Sequence, residues 1–196
     1  MAETLTSAGA MTSPLASYAH GASAVPLVGY TIGECLRRTV EQHGQREALV
    51  VRHQMYRATY RELWEQVDLA ARGLLARGVR KGDRVGLWAP NRAEWVVTQF
   101  ATARVGAILV NINPAYRSSE LEYALKQSGV SLLVLARGFR SADYVGMVAD
   151  VRGRCPDLRD TLVLEWEWDH LLAAGRDIPD AVLAVREGEQ IGRAHV

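Results

Sequence analysis

Between Arg84 and Leu164, short apolar runs alternate with longer stretches of helical period. Arg84–Trp88, Ile108–Val110, Ser131–Leu135 and Thr161–Leu164 are the runs, each of strand length. A short run without a polar break is what a strand covered on both faces shows. Ala93–Val105, Leu121–Gln127 and Ala142–Arg154 lie between them and read as helices. Parallel strands need a crossover of a dozen or more residues, usually a helix. The alternation therefore predicts an α/β fold, a mostly parallel sheet with right-handed crossover helices. There is no internal repeat beyond it.

The stretch Ala103–Arg117 shows the punctuation in detail. Gly106 can take the positive φ that closes a helix. Ala107–Val110 is an unbroken apolar strand, and Asn111–Pro114 ends it because Pro has no N–H for a ladder. Asn111, Asn113 and Tyr116 could border a channel. Side-chain bonds tying the turn together are the simpler expectation.

Upstream, Thr31 and Glu34 form a capping box, with a helix expected as far as Gly44. Ala48–Val51 and Gln54–Tyr56 read as a hairpin. Thr59 and Glu62 form a second box, opening a helix with Leu63, Val67, Ala70, Leu74 and Leu75 as its apolar stripe. Asn91 is the expected N-cap of the helix at 93–105, and Ser119 with Glu122 a third box. Beyond Glu165, Trp166, Trp168, Leu171 and Leu172 fit a short helix, and Asp180–Arg186 another.

Residues 1–28 are rich in Ala, Ser, Gly and Thr without a period, and are expected to form a flexible arm. Residues 188–196 read as a truncated end. Within it, 191–196 fit nothing before them and match a translation of a common sequencing adapter, so the native frame is expected to end near Gln190.

Composition narrows the partners. Hydrophobic residues make up 48% and charged residues 23%, enough for a globular core. A net charge of +1 makes no electrostatic case for nucleic acid or an anionic membrane as the main partner. No apolar run approaches the ~20 residues of a membrane span. Met1–Thr4 carries no basic leader, and a cytoplasmic location is expected. Cys35 and Cys155 stand far apart and outside metal-ligand spacing, so both are expected to be reduced and unpaired.

Local candidates for chemistry have simpler readings. Lys81-Gly-Asp-Arg84 could hold a ribose hydroxyl or a metal, but reads better as a tight turn before a strand. His20, His43, His53, His170 and His195 show no metal spacing and no Ser/His/Asp order. Glu165, Glu167 and Asp169 alternate with Trp166 and Trp168, which reads as an edge strand before it reads as a carboxylate cluster. Neither G-x-G-x-x-G nor G-x-x-x-x-G-K-[ST] occurs.

Several blocks in order resemble the N-terminal part of the adenylate-forming (AMP-binding) superfamily. Thr59-Tyr-Arg-Glu-Leu63 is similar to its T-Y-x-E-L block. Gly82-Asp-Arg-Val-Gly-Leu-Trp-Ala-Pro-Asn91 with Glu94-Trp95 resembles its P-N-x-x-E-W region, and Ala103–Pro114 its G-A-x-x-x-x-x-N-P block. Asn111–Arg117 and Glu120–Leu125 look most like medium- or long-chain fatty-acyl-CoA synthetases. The resemblance covers about residues 30–187 and implies that 29–187 form an incomplete N-terminal part of the family's large domain.

It further implies an ATP-dependent acyl-CoA ligase that activates a fatty acid, a small-molecule carboxylate, through an acyl-adenylate. ATP, Mg2+ and coenzyme A are the implied cofactors of the full-length parent. The family's T-S-G-T-T-G-x-P-K phosphate loop, its magnesium-holding acid, its ribose-binding aspartate and its C-terminal lysine have no counterpart here. Gly82-Asp83 lies before that loop's place and is not the ribose pair. No catalytic, cofactor-binding or metal residue is therefore assigned, and none of the cofactors is expected to bind this chain well. Adenylation by the chain alone is not expected. The alternatives are a stand-alone Rossmann-like binding or interaction module and an aryl- or amino-acid-activating relative.

Overall fold

The computed structural model describes residues 28–188. The expected arm, Val28 apart, and the expected end, Gly188 apart, lie outside the described residues. Helix α1 (Ile32–His43) leads into an antiparallel hairpin of β1 (Glu47–Val51) and β2 (Tyr56–Thr59), followed by α2 (Tyr60–Ala76). The alternating part then runs β3 (Arg84–Trp88), α3 (Ala93–Val105), β4 (Ile108–Asn111), α4 (Ser118–Ser128) and β5 (Leu132–Leu135). A two-residue hairpin, β6 (Gly138–Phe139) and β7 (Ala142–Asp143), precedes α5 (Tyr144–Arg152). The described chain closes with β8 (Asp160–Val163), α6 (Leu164–Arg176) and α7 (Asp180–Gly188).

Four strands pair in parallel in the order β4-β3-β5-β8. The first crossover moves outward from β3 to β4, and the second returns past β3 to β5. Right-handed crossovers in opposite directions put their helices on opposite faces. Accordingly α2, α3 and α6 pack together, and α4 packs with α5. Strand β5 is buried throughout, as its Leu-Leu-Val-Leu sequence requires. Val85, Leu87, Leu133, Leu135 and Leu162 form the middle of the core. Fully burying such side chains stabilises by about 1.5–3 kcal/mol each.

The expected α/β class, with its mostly parallel sheet, is the observed one. Most helix signals act as expected. Gly106 closes α3 at φ 72°, and the Thr59–Glu62 box opens α2 with both reciprocal bonds formed. Three local expectations are corrected. Asn91 does not cap α3: Arg92 occupies the N-cap without a side-chain bond, and Gln54 Oε1 instead accepts from the Ala93 N–H at 2.7 Å. The third box is not formed: α4 starts at Ser118 with Arg117 at the N-cap, whose side chain has no acceptor, and only the return bond is made, from the Arg117 N–H to Glu120 at 3.0 Å. Arg52–Gln54 is a 3-10 turn, so the second hairpin strand begins at Tyr56.

The Glu165–Asp169 alternation belongs to helix α6, not to an edge strand. Leu164, Leu171, Leu172 and Gly175 are buried at helical spacing, and the period of two spans only the first turn and a half. Helix α6 lies very close to α2. A Cβ at Gly175 would stand 2.1 Å from the Leu69 carbonyl oxygen, and one at Gly73 2.3 Å from that of Leu171. Only glycine allows that backbone approach.

Candidate functional site at the carboxyl edge of the sheet

In open α/β sheets, ligands bind outside the carboxyl ends of the strands where the strand order reverses. Here that point lies between β3 and β5, beyond Trp88 and Leu135. Two side-chain assemblies occupy the edge around it.

The first is aromatic. Trp88 ends β3, Tyr144 opens α5, and their rings stack with centroids 3.6 Å apart and planes 9° from parallel. Both side chains are fully buried. Trp88 Nε1 donates to the Asn113 carbonyl at 3.1 Å, and the Tyr144 hydroxyl donates to the neighbouring Pro114 carbonyl. The turn after β4 is thus held through two consecutive carbonyls. Asn113 Oδ1 adds a local bond from the Ala115 N–H at 2.9 Å. Burial pushes the Tyr144 phenol up to about 12, with Arg117 opposing it weakly, which keeps the hydroxyl a donor. Of the three turn residues singled out in the sequence, only Asn113 joins this clamp. Tyr116 instead lines a separate surface cavity of about 240 Å³ with Ser119, Glu120 and Tyr123.

The second assembly is ionic. Arg92 Nε donates to Glu94 at 2.8 Å, and its guanidinium also binds Glu165. Gln54 Nε2 donates to the same Glu94 carboxylate at 2.9 Å. Glu165 accepts in turn from the Arg137 N–H at 2.7 Å, at the start of the loop after β5. Burial raises the Glu94 carboxyl, but bonds from Arg92 and Gln54 outweigh it and hold the group below the usual range. Burial likewise lowers Arg92, and its two carboxylate partners more than reverse this. The network joins the hairpin, the start of α3, the start of α6 and the post-β5 loop. Glu94 and Arg92 lie in a recognisable block, but Gln54 stands 40 residues from Glu94 and Glu165 73 residues from Arg92, and no local pattern announces them.

The other candidates lie elsewhere. Lys81–Arg84 is a tight turn at the opposite, amino edge: Gly82 has φ 83°, and Asp83 Oδ2 accepts from the Arg80 N–H at 2.9 Å and from Arg159 at 2.7 Å. Glu167 binds Arg77 and the Val163 N–H, away from Glu165's partners. His43, His53 and His170 are dispersed over separate elements. Cys35 is exposed and Cys155 buried, and both are free. Among the described residues no group of three or more His, Cys, Asp or Glu could hold a metal ion. A cleft of about 340 Å³ between β1 and α3, lined by Val50, His53, Arg92 and Trp95 among others, brings no nucleophile to a base. The residues at the carboxyl edge hold loops in place.

A doubly wound parallel sheet, with its strand-end loops fixed by buried aromatic and ionic clamps, defines the class: the nucleotide-binding type of α/β scaffold. Within that class the chain belongs to the AMP-binding enzyme family, whose profile matches residues 36–186. It is 46% identical over 142 residues to the mitochondrial medium-chain acyl-CoA ligase ACSF2 of Mus musculus and 44% over 144 residues to that of Homo sapiens. These alignments cover 72% and 74% of this chain but 23% of each relative. Among solved structures, a long-chain-fatty-acid-CoA ligase (FadD1) from Archaeoglobus fulgidus superposes with a TM-score of 0.71 at 26% identity. It covers 81% of this chain and 33% of that one. The anthranilate CoA ligase AuaEII, in complex with anthranoyl-AMP, superposes at 0.68 with 25% identity, over 79% of this chain and 28% of that one. The chain thus spans about a quarter of the length of the curated relatives it matches. Among the described residues, no helix is long and apolar enough to cross a membrane.

Proposed function

We propose that this chain is the N-terminal scaffold of an ATP-dependent acyl-CoA ligase that activates a medium-chain fatty acid through an acyl-adenylate. The observation that carries the proposal is the 46% identity, over 142 residues, to a protein named as a medium-chain acyl-CoA ligase. The unit comprises residues 29–187. Its part in the reaction is to fix the strand-end loops on which a site is built.

ATP, magnesium and coenzyme A belong to the whole enzyme. The described residues do not fit a nucleotide or a magnesium ion. They supply no glycine-rich phosphate cradle and no group of metal-ligating side chains. No chemical step is assigned to them. Preorganised donors at a developing charge are usually the largest catalytic term. An edge whose donors are already spent on Glu94, Glu165, Asn113 and Pro114 has little to offer an incoming phosphate.

A chimera tests the reading. In YngI of Bacillus subtilis, a relative named a putative acyl-CoA synthetase and 38% identical over 122 residues, the matching stretch is replaced by residues 36–186 of this chain. Fatty-acid-dependent ATP–pyrophosphate exchange by the chimera is the expected result. A cooperatively folded chimera without exchange contradicts the proposal. The location belongs to the same proposal: a cytoplasmic site is retained for this chain, and imaging a tagged copy separates it from the mitochondrial site named for the relatives.

A further inference from the structure

Helix α7 is attached by an unusual set of contacts. Among its described residues, Leu183 alone is buried, while Val182 and Val185 face solvent. Two ionic anchors join it at either end. Asp180 binds Arg72 at 2.7 Å, and Glu187, seven residues and two turns further on, binds Arg104. Between these two arginines stands Asp68 of α2, which binds Arg72 at 2.6 Å through one oxygen and Arg104 at 2.9 Å through the other. The five charges alternate as a ladder, Asp180–Arg72–Asp68–Arg104–Glu187, whose first and last members lie on α7.

The inner rungs are built to survive without α7. Arg104, only 4% exposed, lies over the Trp64 ring at 4.0 Å and keeps Asp68. Arg72 likewise keeps Asp68, although its bond to the Ile178 carbonyl belongs to the loop before α7. Asp180 is open to water, its side chain 90% exposed, so its pair with Arg72 is weak and screened by salt; the Glu187–Arg104 pair, with side chains 34% and 5% exposed, is partly shielded and screened less. Among the described residues of α7, Leu183 is the one whose side chain enters the core.

We infer that α7 is a detachable strap, an electrostatically latched helix that lifts from α2 and α3 while the sheet stays folded. Detachment is a local opening of low free energy, set by ionic strength and by Asp180 and Glu187. It leaves the Asp68-centred pairs intact on the body. This rests on the ladder alone and not on the proposed enzymatic role.

Hydrogen exchange on the full chain tests it, read peptide by peptide at low salt and at 1 M NaCl. Amides of α7 are expected to exchange faster in high salt, on the order of tenfold, while those of β3, β5 and α2 hold their protection. The double variant Asp180→Asn/Glu187→Gln is expected to show the fast α7 exchange at low salt and to lose the salt response. Exchange of α7 that ignores both salt and the double variant overturns the inference. So does exchange of α7 that rises only together with that of β3 and β5. If the double variant fails to fold, the salt response of the unaltered chain decides alone.

Discussion

At the scale of single residues, the clearest consequences fall on Tyr144 and Glu94. Tyr144→Phe keeps the stack on Trp88 but leaves the Pro114 carbonyl without its donor. Stranding a buried acceptor costs about 1–3 kcal/mol, and denaturant titration of the variant should show a loss of that size. The alkaline limb carries a second signature. A phenol raised from 10.0 to about 12 stabilises the fold fully below pH 10, and the contribution disappears as pH climbs toward 12. The stability gap between the parent and Tyr144→Phe should therefore shrink between pH 10 and 12.

Glu94 has the opposite sign. Its carboxyl is held below 4.5, so its contribution is full above that pH and lost as acid protonates it. Glu94→Gln should flatten the acid limb of the stability profile. Neither role could be read in full from the chain. Glu94 sits in a motif, but Tyr144 has no local mark, and its partner carbonyl lies 30 residues earlier.

Among the elements, what was readable depended on how local the determining contact is. The Thr59–Glu62 box, Gly106 and the strands at 84–88 and 132–135 act through neighbours in sequence, and they stand where the pattern predicts. The start of α3 failed because its cap comes from Gln54, 39 residues away across the hairpin. Gln54→Ala removes that cap and should cost about 1 kcal/mol, with faster amide exchange confined to the first turn of α3. Helix α6 is the helix that Trp166, Trp168, Leu171 and Leu172 fit; only the Glu165–Asp169 alternation points to an edge strand, and packing on α2 supports the helical state. That packing gives a sharp test. Gly175→Ala places a methyl 2.1 Å from the Leu69 carbonyl oxygen, against backbone that cannot step aside. Overpacking of this kind costs about 1–3 kcal/mol or more, and the midpoint of thermal unfolding should fall accordingly.

For the whole molecule, the sheet order β4-β3-β5-β8 leaves β4 and β8 as edges, and β4 is only half covered, with Ile108 exposed. The alternation of strands and helices was enough to read the class, because crossover handedness leaves few arrangements. It could not reveal the ionic and aromatic clamps, which are properties of the assembled edge. Those clamps spend the edge's polar groups on the protein itself, which supports the proposed scaffold role. ATP–pyrophosphate exchange with a medium-chain fatty acid, measured on the chain alone once its cooperative unfolding has been verified, tests that directly. No exchange above the protein-free blank is expected of the proposed scaffold. Saturable exchange that depends on the fatty acid would contradict it.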